Sequence, residues 1–305
     1  MKELYVSKTG TINTITKALE LCDGTDTTII VDEGIYYEKL KTNKDNITIK
    51  GICKEKTIIS YNDFSKKLNN DGFEYNTFRT PTVTLLGNNI RLENLTIENS
   101  CIPSEKYHQA VSLAAVGDKI SVFNCNILGG QDTLFVGALP LDLIDRYQSF
   151  LDEDFLAIKG ETRQYFENCY IEGDVDFIFG SGNSVFYKCN IKSIGQKGYV
   201  TAPSTYSNQE FGLTFIECNL ISNGIPNSFY LSRPWRENSI VIFKDCKMDD
   251  HIKPEGFSKW NNTERHITSK FMEYGNNLKR DLKNNIYPYE KINIDYIFKN
   301  WNPKQ

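Results

Sequence analysis

The sequence lacks several features that would place it in other functional classes. Its opening stretch, MKELYVSKTG, has no apolar core of the kind that a secretory leader needs. No run approaches the roughly 18 apolar residues of a membrane-spanning helix, and Lys and Arg form no basic patch that would suit nucleic acid. We therefore expect a cytoplasmic protein with no nucleic-acid or membrane partner, or a secreted protein if a leader has been removed.

Two short chemical motifs are also missing. There is no Cys-x-x-Cys pair, which argues against a structural zinc site. There is no Gly-x-Ser-x-Gly, which argues against the nucleophile elbow of serine esterases. Without a secretion signal, the eight cysteines are expected to be free thiols.

Length and composition fit one large all-β domain. The chain has 305 residues, 40% of them hydrophobic, and a net charge of -4, so it can bury a sizeable core. No Pro-, Gly- or Ser-rich linker divides it. We predict a single domain over 1–305 and a monomer.

A pattern around five cysteines predicts the architecture. Each of SVFNCNIL, QYFENCYIEG, SVFYKCNIKS, LTFIECNLIS and VIFKDCKMDD joins an apolar run, a cysteine and an apolar residue two positions later. Short β segments that recur about every 20 to 45 residues are typical of a stacked solenoid. We therefore predict an all-β, single-stranded, right-handed parallel β-helix. Its interior would hold a ladder of buried, inert thiols: Cys125, Cys169, Cys189, Cys218 and Cys246.

The two ends of the chain are expected to differ from the repeat. TINTITKALELCDG places Ile12, Ile15, Leu19 and Cys22 at helical spacing, with Gly24 as a stop signal. This pattern predicts a short N-terminal helix that caps the first coil. The last segment, YEKINIDYIFKNWNP, is predicted to pack back along the outside.

Four stretches break the apolar pattern and carry the candidate site: HQAVSL, GGQDTLF, GDVDFIFG and LSRPW. In a solenoid, residues distant in sequence can lie on neighbouring coils. The polar and aromatic residues of these stretches could then share one face: Gln109, Gln131, Asp132, Asp176, Phe179, Arg233 and Trp235.

This set of residues suits acyl transfer. One carboxylate can attack an ester carbonyl while a second, protonated one serves the leaving alcohol. The amide N–H groups of Gln109 and Gln131 can donate to an oxyanion. Arg233 can keep one aspartate ionised, so that the two acids have different pKa values.

In this order the stretches resemble the pectin methylesterases of carbohydrate esterase family 8. TINTITKAL and DEGIYYEKL resemble the opening turns of that family, IKPEGFSKW and FMEYGN resemble its later blocks, and the resemblance covers nearly the whole chain. It implies a right-handed parallel β-helix that removes C6 methyl esters from galacturonan, either pectin or methylated oligogalacturonides, and releases methanol. It also implies that no metal or organic cofactor is needed.

The same resemblance implies a role for each site residue. Asp176 would be the nucleophile, Asp132 the general acid and later the base, and Gln131 with Gln109 the anion hole. Arg233 would bond to Asp176. The aromatic side chains of Trp235 and Phe179 would line the sugar subsites.

Three features depart from the family pattern. Ser232 stands where the family usually has glycine, a residue that often marks a special backbone angle or a close approach, and it directly precedes Arg233. Asp174 replaces a small or hydroxyl residue and is expected to line the rim of the cleft. The loop over 137–160 is longer than usual and would overhang the cleft. It would either favour short substrates or be a surface loop without a role.

Three alternatives remain open from the residues alone. A pectate-lyase-like enzyme could hold Ca²⁺ with the LDEDF cluster and Asp174; chelator sensitivity and an unsaturated product would reveal it. A non-catalytic carbohydrate-binding solenoid would bind oligogalacturonide without releasing methanol. An esterase of the same family could also act on a different ester, such as a thioester.

Overall fold

The structure is a computed structural model, and it describes residues 2–70, 72–278, 280 and 285–305. The chain winds through three sheets of parallel strands, so the predicted right-handed parallel β-helix is confirmed. The ten-stranded sheet contains β1 (Lys2–Val6), β2 (Thr27–Val31), β5 (Ile47–Gly51), β8 (Arg91–Glu93), β11 (Ile120–Phe123), β14 (Arg163–Glu167), β17 (Asn183–Tyr187), β20 (Leu213–Ile216), β23 (Ile240–Lys244) and β25 (Lys270–Tyr274).

The other two sheets complete each coil. The eight-stranded sheet contains β3 (Gly34–Tyr37), β6 (Thr57–Tyr61), β9 (Thr96–Asn99), β12 (Asn126–Leu128), β15 (Tyr170–Gly173), β18 (Asn190–Ser193), β21 (Asn219–Ser222) and β24 (Lys247–Met248). The seven-stranded sheet contains β4 (Leu40–Thr42), β7 (Val83–Leu85), β10 (Leu113–Ala115), β13 (Leu134–Val136), β16 (Val175–Gly180), β19 (Gly198–Pro203) and β22 (Phe229–Ser232).

Short helices lie between the strands and near the C-terminus. They are α1 (Ile15–Glu20), α2 (Ser104–Tyr107), α3 (Leu141–Arg146), α4 (Glu153–Ala157), α5 (Arg265–Thr268) and α6 (Ile294–Phe298), with 3₁₀ turns at Thr77–Arg79 and Tyr289–Lys291. In the part of the chain that the structure describes, no helix is long and apolar enough to cross a membrane.

One sharp turn is repeated where each coil leaves the ten-stranded sheet. A residue with positive φ occupies the corner, and the cysteine of the repeat follows it directly; the corner residues are Asn124, Asn168, Lys188, Glu217 and Asp245. The turn points the thiol into the core. From Cys169 onward each sulfur of the ladder lies close to a carbonyl of the preceding coil, as from Cys218 Sγ to Phe186 O at 3.3 Å. The predicted thiol ladder is therefore confirmed, and all five of its cysteines are buried.

Phenylalanines form a second ladder beside the thiols. Phe166, Phe186, Phe215 and Phe243 occupy matching positions of β14, β17, β20 and β23. Successive rings stack 4.7, 4.5 and 4.7 Å apart with nearly parallel planes. These distances are close to the strand spacing of a sheet, so the coil repeat sets the stacking geometry.

The N-terminal helix is present and caps the core as predicted. It begins at Ile15, later than the apolar spacing suggested, because the side chain of Thr14 accepts a hydrogen bond from the Lys17 amide at 3.2 Å. Ile15 and Leu19 are buried. At its other end, the Lys44 ammonium donates to carbonyls that include Leu19 O, at 2.7 Å.

The C-terminal segment packs against the outer face of the ten-stranded sheet. Ile297 and Phe298 of α6 join an apolar cluster with Tyr165, Val185 and Ile242. These three sheet residues alternate with the inward-facing phenylalanines, as expected for strands with apolar residues on both faces. The predicted external packing is confirmed.

The burial of the thiols leads to a first prediction. Seven of the eight cysteines are buried and Cys53 is half-buried, and burial raises the pKa of the Cys189 and Cys218 thiols well above the usual range. Titration of the native protein with a thiol reagent should modify Cys53 first, about one equivalent, and all eight only after denaturation. Rapid native reaction of four or more thiols would contradict the buried ladder, because only three of the cysteines lie outside it.

Candidate active site

The seven-stranded sheet brings all seven sequence-predicted site residues to one cavity. Gln109 and Gln131 pair as an isolated parallel bridge, Asp132 precedes β13, and Asp176 lies in β16. The cavity has a volume of about 310 Å³. It is lined by the seven residues Gln109, Gln131, Asp132, Asp176, Phe179, Arg233 and Trp235, together with further residues discussed below.

Both aspartates sit on unusual backbone. Asp132 has φ of 63° and Asp176 has φ of 51°, a left-handed conformation that Asp adopts more readily than most residues. The register of β16 shifts between Val175 and Ile178. Phe177 and Ile178 then both face the core, while the Asp176 side chain lines the cavity. This bulge explains how a strand rich in apolar residues can present a carboxylate to the cavity.

Asp176 is held by Arg233 in a two-point ion pair. Arg233 Nε donates to Asp176 Oδ1 at 2.8 Å and Nη2 donates to Oδ2 at 2.6 Å. The guanidinium lies over the rings of Tyr199 and Trp260, 3.8 and 4.4 Å from the ring centroids. Such a bidentate, stacked geometry fixes the carboxylate and is specific to arginine.

The two aspartates differ in how far a neighbouring positive charge compensates for their burial. They expose only 8% and 5% of their surfaces, for Asp132 and Asp176 respectively. Burial, and then the charge of Asp176, raise the pKa of Asp132 well above its usual value. Burial also raises the pKa of Asp176, but the hydrogen bonds and charge of Arg233 pull it back. The arrangement therefore favours a proton on Asp132 and a charge on Asp176.

The side-chain amide of Gln109 has its oxygen already engaged. Ser65 Oγ donates to Gln109 Oε1 at 2.7 Å, which leaves the amide N–H groups of Gln109 for another acceptor. The backbone of Gln131 is also held in position, because its N–H donates a hydrogen bond to Ser104 Oγ at 2.8 Å. The two amides thus stand side by side on adjacent coils.

Asp174 does not line the rim, so that prediction is wrong. The residue is buried, and its carboxylate accepts a hydrogen bond from the Val175 N–H at 2.6 Å. It lies next to Ser104, whose hydroxyl oxygen accepts a hydrogen bond from the Gln131 N–H, so Asp174 belongs to the surroundings of Gln131 and not to the rim of the cleft. The serine at position 232 is tolerated as well: Arg233 N–H still donates to Thr201 O at 3.1 Å.

Aromatic side chains form one wall of the cavity, and sequence reasoning identified only part of it. Phe179 and Trp235 meet edge to face at 5.6 Å, and Phe78 stacks 6.5 Å from Trp235. Trp260 also lines the cavity. Trp260 could have been predicted from the sequence, because it ends the stretch IKPEGFSKW. No such stretch marks Phe78.

The segment over 137–160 lies beside the cavity but is not a simple loop. It forms α3 and α4 and packs Leu143, Tyr147 and Phe155 onto the outer face of the seven-stranded sheet. It adopts helix because Pro140 precedes α3 and the apolar residues that follow share one face. Its effect on the length of substrate stays a prediction.

The acidic cluster of the lyase alternative does not assemble. Asp152 pairs with Lys41, and Asp154 accepts from Asn43 at 2.9 Å, while Asp174 is buried and accepts from the Val175 N–H. Across residues 2–70, 72–278, 280 and 285–305, no three His, Cys, Asp or Glu side chains are grouped in a way that could hold a metal ion.

A parallel β-helix whose cavity holds two buried carboxyls and two adjacent amides has the groups that an ester hydrolase needs, and comparison with known proteins identifies the family. The Pectinesterase family profile matches residues 4–139 and 148–284. Pectinesterase 31 of Arabidopsis thaliana is 32% identical over 255 residues, which cover 81% of this chain and 72% of that protein. Pectinesterase QRT1 of the same plant is 32% identical, over 81% of this chain and 60% of that protein.

Solved structures agree with this assignment. Pectin methylesterase from Yersinia enterocolitica is 28% identical with a TM-score of 0.76, covering 95% of this chain and 99% of that one. PemA from Erwinia chrysanthemi has a TM-score of 0.80 at 23% identity, covering 99% and 98%, and supports the fold. The chain belongs to the pectinesterase family and is therefore a carboxylic ester hydrolase.

The raised pKa of Asp132 leads to a second prediction. Where the native pKa exceeds the unfolded value, the native state keeps a proton that the unfolded chain has lost, so stability falls as pH rises through that interval. Asp132→Asn cannot ionise, so its gain in unfolding free energy over wild type should grow from pH 4 to pH 7. Between pH 4 and pH 7, this gain in unfolding free energy should grow by about 1.4 kcal/mol for each pH unit that lies above the unfolded-state pKa and below the native-state pKa of Asp132. Denaturant melts at both pH values measure this gain.

The control for this measurement is Asp26→Asn, which changes an exposed carboxylate. Its difference from wild type should be small and should not grow with pH. A gain for Asp132→Asn that is equal at both pH values would show that Asp132 ionises normally in the folded protein.

Proposed function

We propose that this chain hydrolyses the C6 methyl ester of galacturonan, in pectin or in methylated oligogalacturonides, with Asp176 as the nucleophile. The observation that carries the proposal is the two-point ion pair of Asp176 with Arg233 in the same cavity as the buried Asp132. Membership of the pectinesterase family supports the substrate class. A solved relative with the same fold is described as pectin methylesterase in complex with a hexasaccharide.

In the first step, an Asp176 carboxylate oxygen attacks the ester carbonyl carbon. The carbonyl oxygen takes up the negative charge, and the amide N–H groups of Gln109 and Gln131 donate to it. As the tetrahedral intermediate collapses, the bond to the methoxy oxygen breaks. Asp132 gives its proton to that oxygen, so that methanol leaves and an acyl–enzyme anhydride remains.

In the second step, Asp132 is ionised and can act as a base. It takes a proton from water, whose oxygen attacks the carbonyl carbon of the acyl group. The bond to Asp176 then breaks, which restores the Asp176 carboxylate beside Arg233. The product leaves as the galacturonic acid, which keeps the second proton of the water and gives it up to solvent. Asp132 ends the cycle protonated, as it began.

The surrounding side chains position the sugar and the nucleophile. Arg233 anchors both oxygens of Asp176, which orients the attacking atom without removing its negative charge. The rings of Trp235 and Phe179 offer apolar faces against which a pyranose ring can pack. Ser104 accepts a hydrogen bond from the Gln131 N–H and so fixes the Gln131 backbone, and the buried Asp174 lies beside Ser104.

A single substitution tests the nucleophile. Asp176→Asn keeps the size of the side chain but removes the charge that attacks, so methanol release from methylated galacturonide oligomers should fall by about 10³-fold or more. Asp26→Asn, which changes an exposed acid outside the cavity, is the matched control and should stay within a few-fold of wild type. Retention of a tenth of wild-type activity by Asp176→Asn, in a protein that melts normally, would assign the nucleophile elsewhere.

A further inference from the structure

One wall of the cavity comes from a segment that the family profile does not match. The profile stops at residue 139 and resumes at 148, and the intervening residues form α3 and its flanks. Three residues of this segment line the cavity together with the two aspartates: Leu143, Arg146 and Tyr147. This chain therefore adds its own surface to a site whose other parts lie within the matched regions.

The segment is fixed in place by packing and by one ion pair. Leu143, Ile144 and Tyr147 are buried in an apolar cluster that also contains Phe78 and Phe135. Asp142 is held by Arg236, whose Nε and Nη2 donate to the two carboxylate oxygens at 2.9 and 2.7 Å. The backbone that carries Arg146 is thus anchored on both sides.

Arg146 differs from the other two arginines of the cavity because its charge is not neutralised. Arg233 is paired with Asp176, and Arg236 is paired with Asp142. Arg146 is exposed and lies 5.6 Å from the centroid of the Tyr147 ring. Among the side chains that the structure describes, no carboxylate lies within ion-pair distance of it. With Asp132 protonated, the cavity therefore has an excess of one positive charge.

The exposed and unpaired charge of Arg146 can bind an anionic group of the substrate other than the reacting group. The methyl ester that Asp176 attacks is uncharged, so it cannot satisfy a guanidinium. A galacturonan chain does carry carboxylates wherever an ester has already been removed. Guanidinium groups bind carboxylates through short, charge-assisted hydrogen bonds.

We propose that Arg146 binds the free carboxylate of a galacturonate unit adjacent to the methyl ester under attack. The inference rests on the proposed function and narrows its substrate class to partly de-esterified galacturonan. The unmatched segment at 140–147 is in this way a determinant of specificity.

The test compares two oligomers of equal length. In one, a single methyl ester is flanked by free carboxylates; in the other, every unit is methyl-esterified. Methanol release gives kcat and KM for wild type, Arg146→Gln and Arg146→Lys. Arg146→Gln should lower kcat/KM about tenfold more on the flanked oligomer than on the esterified one, through KM, as expected for the loss of a charged hydrogen bond. Arg146→Lys should recover part of this loss.

Lys247→Gln serves as the control, because it removes an exposed positive charge on β24, in the eight-stranded sheet. It should not change the ratio between the two oligomers. Equal losses on both oligomers for Arg146→Gln, or no loss on either, would overturn the inference while leaving the esterase activity intact. A wild type that releases no methanol from either oligomer would instead overturn the proposed function and the inference with it.

Discussion

The ion pair between Asp176 and Arg233 is the interaction on which the rest of the site depends. A carboxylate that exposes 5% of its surface would be costly to bury in its ionised form without a partner. Arg233 supplies two hydrogen bonds to it and is itself packed between Tyr199 and Trp260. The neighbouring Asp132 has no such partner among the described residues, so the two acids favour different protonation states at the same pH.

The solenoid makes this pairing possible by repetition. Each coil places its side chains above those of the coil before, as the thiol and phenylalanine ladders show. The site uses the same stacking for polar residues: Gln109 pairs with Gln131, and Arg233 reaches past β19 to Asp176 in β16. Local departures from the repeat, the positive φ angles of Asp132 and Asp176, then turn these side chains into the cavity. Such backbone costs of order 1–3 kcal/mol per residue, which the regular coils on either side must offset.

Much of the fold and site could be predicted from the sequence because both depend on short, ordered patterns. The cysteine repeat indicated the coils, and four polar stretches indicated the seven residues that meet in the cavity. Other features could not be predicted, since they depend on how distant segments pack. Asp174 was misplaced because its neighbour Ser104 lies in a separate excursion of the chain. Phe78 and Arg146 reach the cavity from segments outside the repeat, which carry no periodic signal.

The mechanism requires that the protonated carboxyl in the active cavity belongs to Asp132 and the ionised one to Asp176. Infrared difference spectroscopy near neutral pH measures this directly, because a protonated carboxyl has its own C=O stretching band. We expect a band present in wild type to disappear in Asp132→Asn and to persist in Asp176→Asn. A band that persists in Asp132→Asn and disappears in Asp176→Asn would reverse the two roles and contradict the mechanism.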